Sequence, residues 1–187
     1  MREPLRLAVL AALASCALPG HAQTNSLGGV SGRSALFPAG GHSYLLTAPP
    51  GWIFDGKGDL PGAPRAIFRP AAAADPPPIA YTTYFADATN AAGFVATELA
   101  RFRAANPQAI LLAHPDLTTL WGMKVSVHSF QGDRHGHSGW IGHVVAPQGV
   151  IQIVMLIPAP EAQPFEGAFA TLVRSCVWQK FGLIPSP

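Results

Sequence analysis

The densest group of residues able to do chemistry is Asp133-Arg134-His135-Gly136-His137, with His128 and His143 on the flanking segments. Neutral imidazoles and a carboxylate suit zinc or copper, and His-x-His on a turn can present two ring nitrogens to one ion. The candidate metal ligands are therefore Asp133, His135, His137 and His143, with Zn or Cu as the candidate ion. A hairpin turn also selects Asp, Gly and solvated His for conformational reasons, and no second spaced pair completes a ligand set. Both readings of the turn stay open at the level of sequence.

Other catalytic constellations are missing from the chain. Gly29-Val30-Ser31-Gly32 has Arg33 where a nucleophile elbow needs its last glycine, and Gly136-His137-Ser138-Gly139 has Trp140 there. His128 beside Ser126 and Ser129 reads as strand alternation. The glycines at 28, 29, 39, 40 and 41 do not join a strand to a helix, so they form no phosphate cradle. Asp55 and Asp59 in a Gly-rich loop lack the ligand count of a calcium loop and read as a solvated turn. Ser175-Cys176-Val177-Trp178 is apolar, which reads Cys176 as a small buried hydrophobe, not a reactive thiol. No catalytic or cofactor-binding residue is assigned, and the chain is expected not to be an enzyme. Trp52, Trp121, Trp140, Trp178 and the run Tyr81 to Phe85 remain, either as core or as an aromatic contact patch.

The elements that must position these groups follow from periodicity. Ser43 to Ala48 has strand composition and ends at Pro49-Pro50-Gly51-Trp52. Ala66 to Arg69 is a short strand, Pro70 to Pro78 a surface loop, and Ile79 to Phe85 a β-rich run. A helix capped by Thr89 or Asn90 carries Phe94, Val95, Leu99 and Phe102 as its apolar stripe and ends at Asn106-Pro107. Glu98, Arg101 and Arg103 are expected to face water. Ile110 to Leu112 and Leu117 to Leu120 read as two separate extended pieces. A three-stranded meander follows: Met123 to Phe130, Trp140 to Val145, and Val150 to Ile157. The last of these is apolar on both faces and so should be a central strand covered on two sides. Glu161 to Arg174 reads as a second helix and Trp178 to Leu183 as a closing strand. Hairpins without helical crossovers in the second half argue for an α+β domain with helices packed on an antiparallel sheet.

Of the 187 residues, 49% are hydrophobic and 12% charged, which is too apolar for a disordered polymer. Nineteen prolines exclude an all-helical bundle. A formal charge of +2, with its basic residues scattered, leaves no footprint for nucleic acid. Residues 1–22 read as a secretory signal: Arg2 and Arg6 form the positive region, Leu5 to Leu18 the apolar run, and Gly20-His21-Ala22 the small-residue site. Cleavage is expected between Ala22 and Gln23, which places the chain in the periplasm or outside the cell. Leu13-Ala14-Ser15-Cys16 also resembles a lipobox, and lipidation at Cys16 would tether the protein to the envelope membrane. No later segment is long and apolar enough to span a bilayer. Cleavage after Ala22 would leave Cys176 as the mature chain's lone cysteine, so no internal disulfide is expected. Residues 23–41 read as a flexible lead-in and 42–183 as one α+β domain.

Ser43-Tyr44-Leu45-Leu46-Thr47-Ala48-Pro49-Pro50-Gly51-Trp52 resembles the opening element of the PsbP-like superfamily. Phe130-Gln131-Gly132, leading into the strands from Trp140 to Ile157, is similar to its later elements, and Phe165 to Ser175 resembles its closing helix. That superfamily includes extrinsic photosystem subunits, a Ran-binding import factor and bacterial periplasmic DcrB-like domains. The resemblance covers residues 42–180 and implies an antiparallel sheet flanked by helices, an α/β/α-type sandwich used for docking and not for catalysis. The partner it implies is a protein of the cell envelope. It carries over no site residue, and the insertion at 70–78 and the His-bearing turn depart from the pattern.

Overall fold

Residues 149–157 are apolar at both alternating sets of positions, so whichever way the strand turns it must be covered on two faces. The computed structural model, which describes residues 29–31, 33–55, 67–71, 77–86, 88, 90–158 and 163–180, places this strand near the middle of a sheet. In chain order the elements are β1 (Gly29–Ser31), β2 (Ser34–Ala39), β3 (His42–Thr47), β4 (Trp52–Asp55), β5 (Ile67–Pro70) and β6 (Ile79–Phe85). Then come α1 (Ala91–Ala105), β7 (Ile110–Thr118), β8 (Lys124–Gln131), β9 (Ser138–Ala146) and β10 (Gly149–Ile157). A single 3-10 turn leads into α2 (Glu166–Arg174), and β11 (Val177–Lys180) closes the described chain.

A seven-stranded sheet has the order β4-β5-β6-β10-β9-β8-β7, and a four-stranded sheet the order β1-β2-β3-β11. Neighbouring strands are antiparallel in both. Ile151, Ile153, Met155 and Ile157 of β10 face a core shared with Val125, Val127, Trp140 and Val144. Phe169, Leu172 and Val173 of α2 close that core on one side, and Phe37, Tyr44 and Leu46 of the small sheet close the rest. Val154 and Leu156 face the other way, with Tyr81, Phe130 and Ile141, beneath Phe102 of α1. The layers are thus α1, the large sheet, and then α2 beside the small sheet.

Gly142 of β9 lets α2 approach: a Cβ there would stand 3.1 Å from Phe169 and 3.2 Å from Val173. At Gly139, where the Phe130 ring lies close, a Cβ would collide with the Met155 carbonyl.

The α+β class, the antiparallel sheet and the flanking helices match the expectation, while several elements differ from it. The supposed lead-in is structured from residue 29 onward, because Ala35, Phe37 and Ala39 alternate into the core as β2. β4 forms immediately after the Pro-Pro-Gly turn and buries Trp52. The two extended pieces at 110–112 and 117–120 are joined in one strand, β7, which ends at Thr118 and has an irregularity between His114 and Leu117, while residues 119 and 120 belong to the following turn. Glu98 is buried, because it lies on the same helical row as Phe94 and Phe102. The outer layer expected to be helix alone is shared with a second sheet. The leader, Cys16, Ala22, Gln23, the loop at 56–64 and residues 72–76 lie outside the described residues.

Gly139→Ala should cost about 2 kcal/mol or more, since the collision is with backbone that cannot rotate away. A urea denaturation midpoint unchanged from the parent would contradict that packing.

Candidate functional site

Asp133 organises the turn between β8 and β9. Its Oδ1 accepts from the His135 and His137 backbone N–H groups at 2.8 Å each, and Oδ2 lies 3.3 Å from His137 Nδ1. The Gly136 N–H returns to the Asp133 carbonyl, with Gly136 at φ +78°, where an L side chain is strained. Arg134 N–H donates to Asn106 Oδ1, which ties the turn to the C-terminal end of α1. Burial pushes the Asp133 carboxyl up, but the hydrogen bonds from His137 and His135 outweigh it and hold it below its ordinary value. Arg134 Nε donates to His135 Nε2 at 3.1 Å. Both carboxylate oxygens and one imidazole nitrogen of each of His135 and His137 are therefore engaged in the turn itself.

His143 is elsewhere. It sits in the middle of β9, fully buried, on the face that α1 covers. Its cross-strand partners are Ser126 on β8 and Gln152 on β10, and Gln152 pairs in turn with Thr83 on β6. These four residues form a polar row across the large sheet. Phe94 of α1 places its ring edge-on, 6.4 Å from the His143 ring, and Gln152 Nε2 lies 3.1 Å from His143 Nε2. The Nδ1 atoms of His143 and of its diagonal neighbour His128 are buried without a hydrogen-bond partner. Burial, and then the nearby His128, push His143 down to about 4. His128 is lowered as well, by burial first and then by Arg103 and His114, with Asp116 opposing. Glu98 of α1 is raised by burial, an effect its 2.8 Å ion pair with Arg101 only partly offsets.

The candidate metal ligands thus divide: Asp133, His135 and His137 share the turn, and His143 lies under α1. Among the described residues, no three His, Cys, Asp or Glu side chains are grouped so as to hold a metal ion. A Ser–His pair that the sequence did not suggest is present, with His114 Nε2 2.7 Å from Ser129 Oγ. The two are diagonal neighbours on β7 and β8, and His114 packs against Trp140. Asp116, which follows on the same strand, is held by Lys124 at 2.8 Å. Cys176 is fully buried and its thiol is pushed up to about 12 by that burial, so it carries no thiolate at neutral pH.

Of the four tryptophans, Trp52 and Trp140 are core and Trp178 stacks on His42. Trp121 is different. With Leu120 it forms the tip between β7 and β8, where Leu120 is 82% and Trp121 69% exposed. The tip is tightly built. Thr119, itself buried, accepts from the Trp121 and Met123 N–H groups through Oγ1, and from the Gly122 N–H through its carbonyl. Thr119 N–H donates to the Met123 carbonyl, and Leu120 N–H donates to the Arg174 carbonyl at the end of α2. Gly122, at φ +82°, completes the turn. Lys124 and Arg174 flank the tip, and Val145 and Pro147 are exposed at the same end of the sheet. The sequence pointed to Trp121 only as one of several aromatics. Two large apolar residues placed before a turn glycine, in Leu120-Trp121-Gly122, were the signal available.

No protein-family model matches the chain, and no curated protein matches it. Among solved structures it is similar to the solution structure of cyanobacterial PsbP (CyanoP) from Synechocystis sp. PCC 6803. That similarity has 15% identity and a TM-score of 0.45, and it covers 81% of this chain and 96% of that one.

Asp133→Ala should cost about 1–3 kcal/mol by leaving the turn's N–H donors unpaired. The loss in urea midpoint should be equal with and without added zinc, and a zinc-dependent loss would identify Asp133 as a ligand instead. For His143 the folded-state value lies below the ordinary 6.5, so the unfolded chain takes up the proton first as pH falls. Stability is fully present above 6.5 and declines towards 4, by up to about 3 kcal/mol from this group. His143→Gln should flatten that decline, as read from denaturation midpoints across the interval. An equally steep decline in the variant would assign the effect elsewhere.

Proposed function

We propose that this chain is an exported, non-enzymatic accessory domain of the cell envelope that works by contact, through the end of its sheet that carries Leu120 and Trp121. The observation that carries this reading is the tip itself: five consecutive backbone N–H groups, from Thr119 to Met123, are fixed by hydrogen bonds, and the two side chains thus held project into solvent. Exposed apolar residues are ordinary when scattered. A Leu–Trp pair held on a rigid turn is a presented surface. Export is supported by the signal-like pattern of residues 1–22.

Photo-crosslinking in intact cells tests the reading. With p-benzoylphenylalanine in place of Trp121, an adduct is expected that loses most of its yield when Leu120→Ser is added. The same probe in place of Gln131, exposed at the opposite end of β8, should give no such adduct. Equal labelling at both positions, or recovery of the protein from the cytoplasm with its leader intact, would overturn the proposal.

A further inference from the structure

Resting on that reading, we infer that the Leu120–Trp121 tip docks on a lipid surface, its two side chains entering the interface while Lys124 and Arg174 meet anionic headgroups. The backbone is prepared for a surface that leaves water, and the shape and rim of the tip favour lipid over a protein partner there. In water the exposed residues Leu120, Trp121 and Gly122 need no internal partner for their N–H groups, since solvent supplies one. A turn that enters the acyl boundary does need them, because each unpaired group there costs several kcal/mol. Here the N–H groups of Thr119, Leu120, Trp121, Gly122 and Met123 are all paired inside the protein, three of them to Thr119.

The shape agrees. Two side chains on a convex turn offer far less than the ~800 Å² per partner of a specific protein interface. A bilayer accepts a small apolar wedge and adds headgroup contacts around it. Trp is suited to that depth, with an apolar body and one N–H for the headgroup layer. The rim is basic. Lys124 is 71% exposed, although it also holds Asp116, and among the described residues no carboxylate pairs with Arg174. The N-terminal turn of α1, which starts at this end of the sheet, carries no acidic residue.

Vesicle flotation tests this with the full chain carrying Cys16→Ser, recovered from the envelope, so that no acyl chain can contribute. Phosphatidylglycerol vesicles should carry the protein and blue-shift its emission, since Trp121 is the most exposed of its tryptophans. Binding should weaken with salt and on phosphatidylcholine vesicles. Trp121→Ala with Leu120→Ser should lower the partition about tenfold or more, since binding follows buried apolar area, and the unchanged urea midpoint would confirm that the variant folds. Lys124→Gln with Arg174→Gln should remove the preference for the anionic lipid. No flotation on either vesicle, or flotation undiminished in the tip variant, overturns the inference. If flotation fails while the Trp121 probe still yields a tip-dependent protein adduct, the docking reading stands and its partner is a protein.

Discussion

One strand sets the conditions for the rest of the molecule. β10 carries Ile151, Ile153, Met155 and Ile157 towards one side and Val150, Val154 and Leu156 towards the other, so neither face can be left to water. α1 covers the second face. The first is too wide for the nine residues of α2, and the exposed remainder must be closed by something else. The small sheet does this with Phe37, Tyr44 and Leu46, and it needs both ends of the domain: β11 pairs with β3, and Ser175 bonds the backbone of Thr47 in both directions. Covering one apolar strand thus couples the first described strands to the last.

This explains which parts of the fold were legible in the chain. β6, α1 and β10 declare themselves by periodicity, composition and the Asn90 cap, whose side chain accepts the Gly93 N–H. β2 does not, because Ser34-Ala35-Leu36-Phe37-Pro38-Ala39 is short, contains proline and lies among glycines. Its strand state comes from the need to cover β10, a tertiary cause that local pattern does not carry. The burial of Glu98 could have been read, since Phe94, Glu98 and Phe102 are four residues apart on one helical row. The separation of His143 from His135 and His137 could not. It depends on the register that sets His143 opposite Gln152 and Ser126, and register follows from pairing across the sheet.

The polar row under α1 shows how uneven the cover is. The C-terminal half of α1 is anchored by Leu99 and Phe102 over Tyr81, Phe130, Ile141, Val154 and Leu156. Its N-terminal half lies over Thr83, Gln152, His143 and Ser126, with Phe94 braced by Phe85 as the apolar lid. Cross-strand polar pairs hold this row together, but they leave an imidazole nitrogen unpaired on both His128 and His143. The neutral form of each ring is the one the site accepts, which is why both are pushed below their ordinary value.

Between the polar row under α1 and the Leu120–Trp121 tip, polar satisfaction therefore runs opposite to exposure. Ring nitrogens go unpaired in the interior under α1, where each costs free energy, while the turn that exposes Leu120 and Trp121 has the N–H of every residue from Thr119 to Met123 paired. Water would have served the exposed residues Leu120, Trp121 and Gly122 at no cost. The tertiary link at its base, from Leu120 N–H to the last carbonyl of α2, anchors the tip to the helix that closes the core beneath β10. A tip built this way keeps its shape when water is removed from around it. That property suits a surface that leaves water in use, and it separates the Leu120–Trp121 turn from exposed apolar residues such as Ile110 and Leu112, which sit on the edge strand β7.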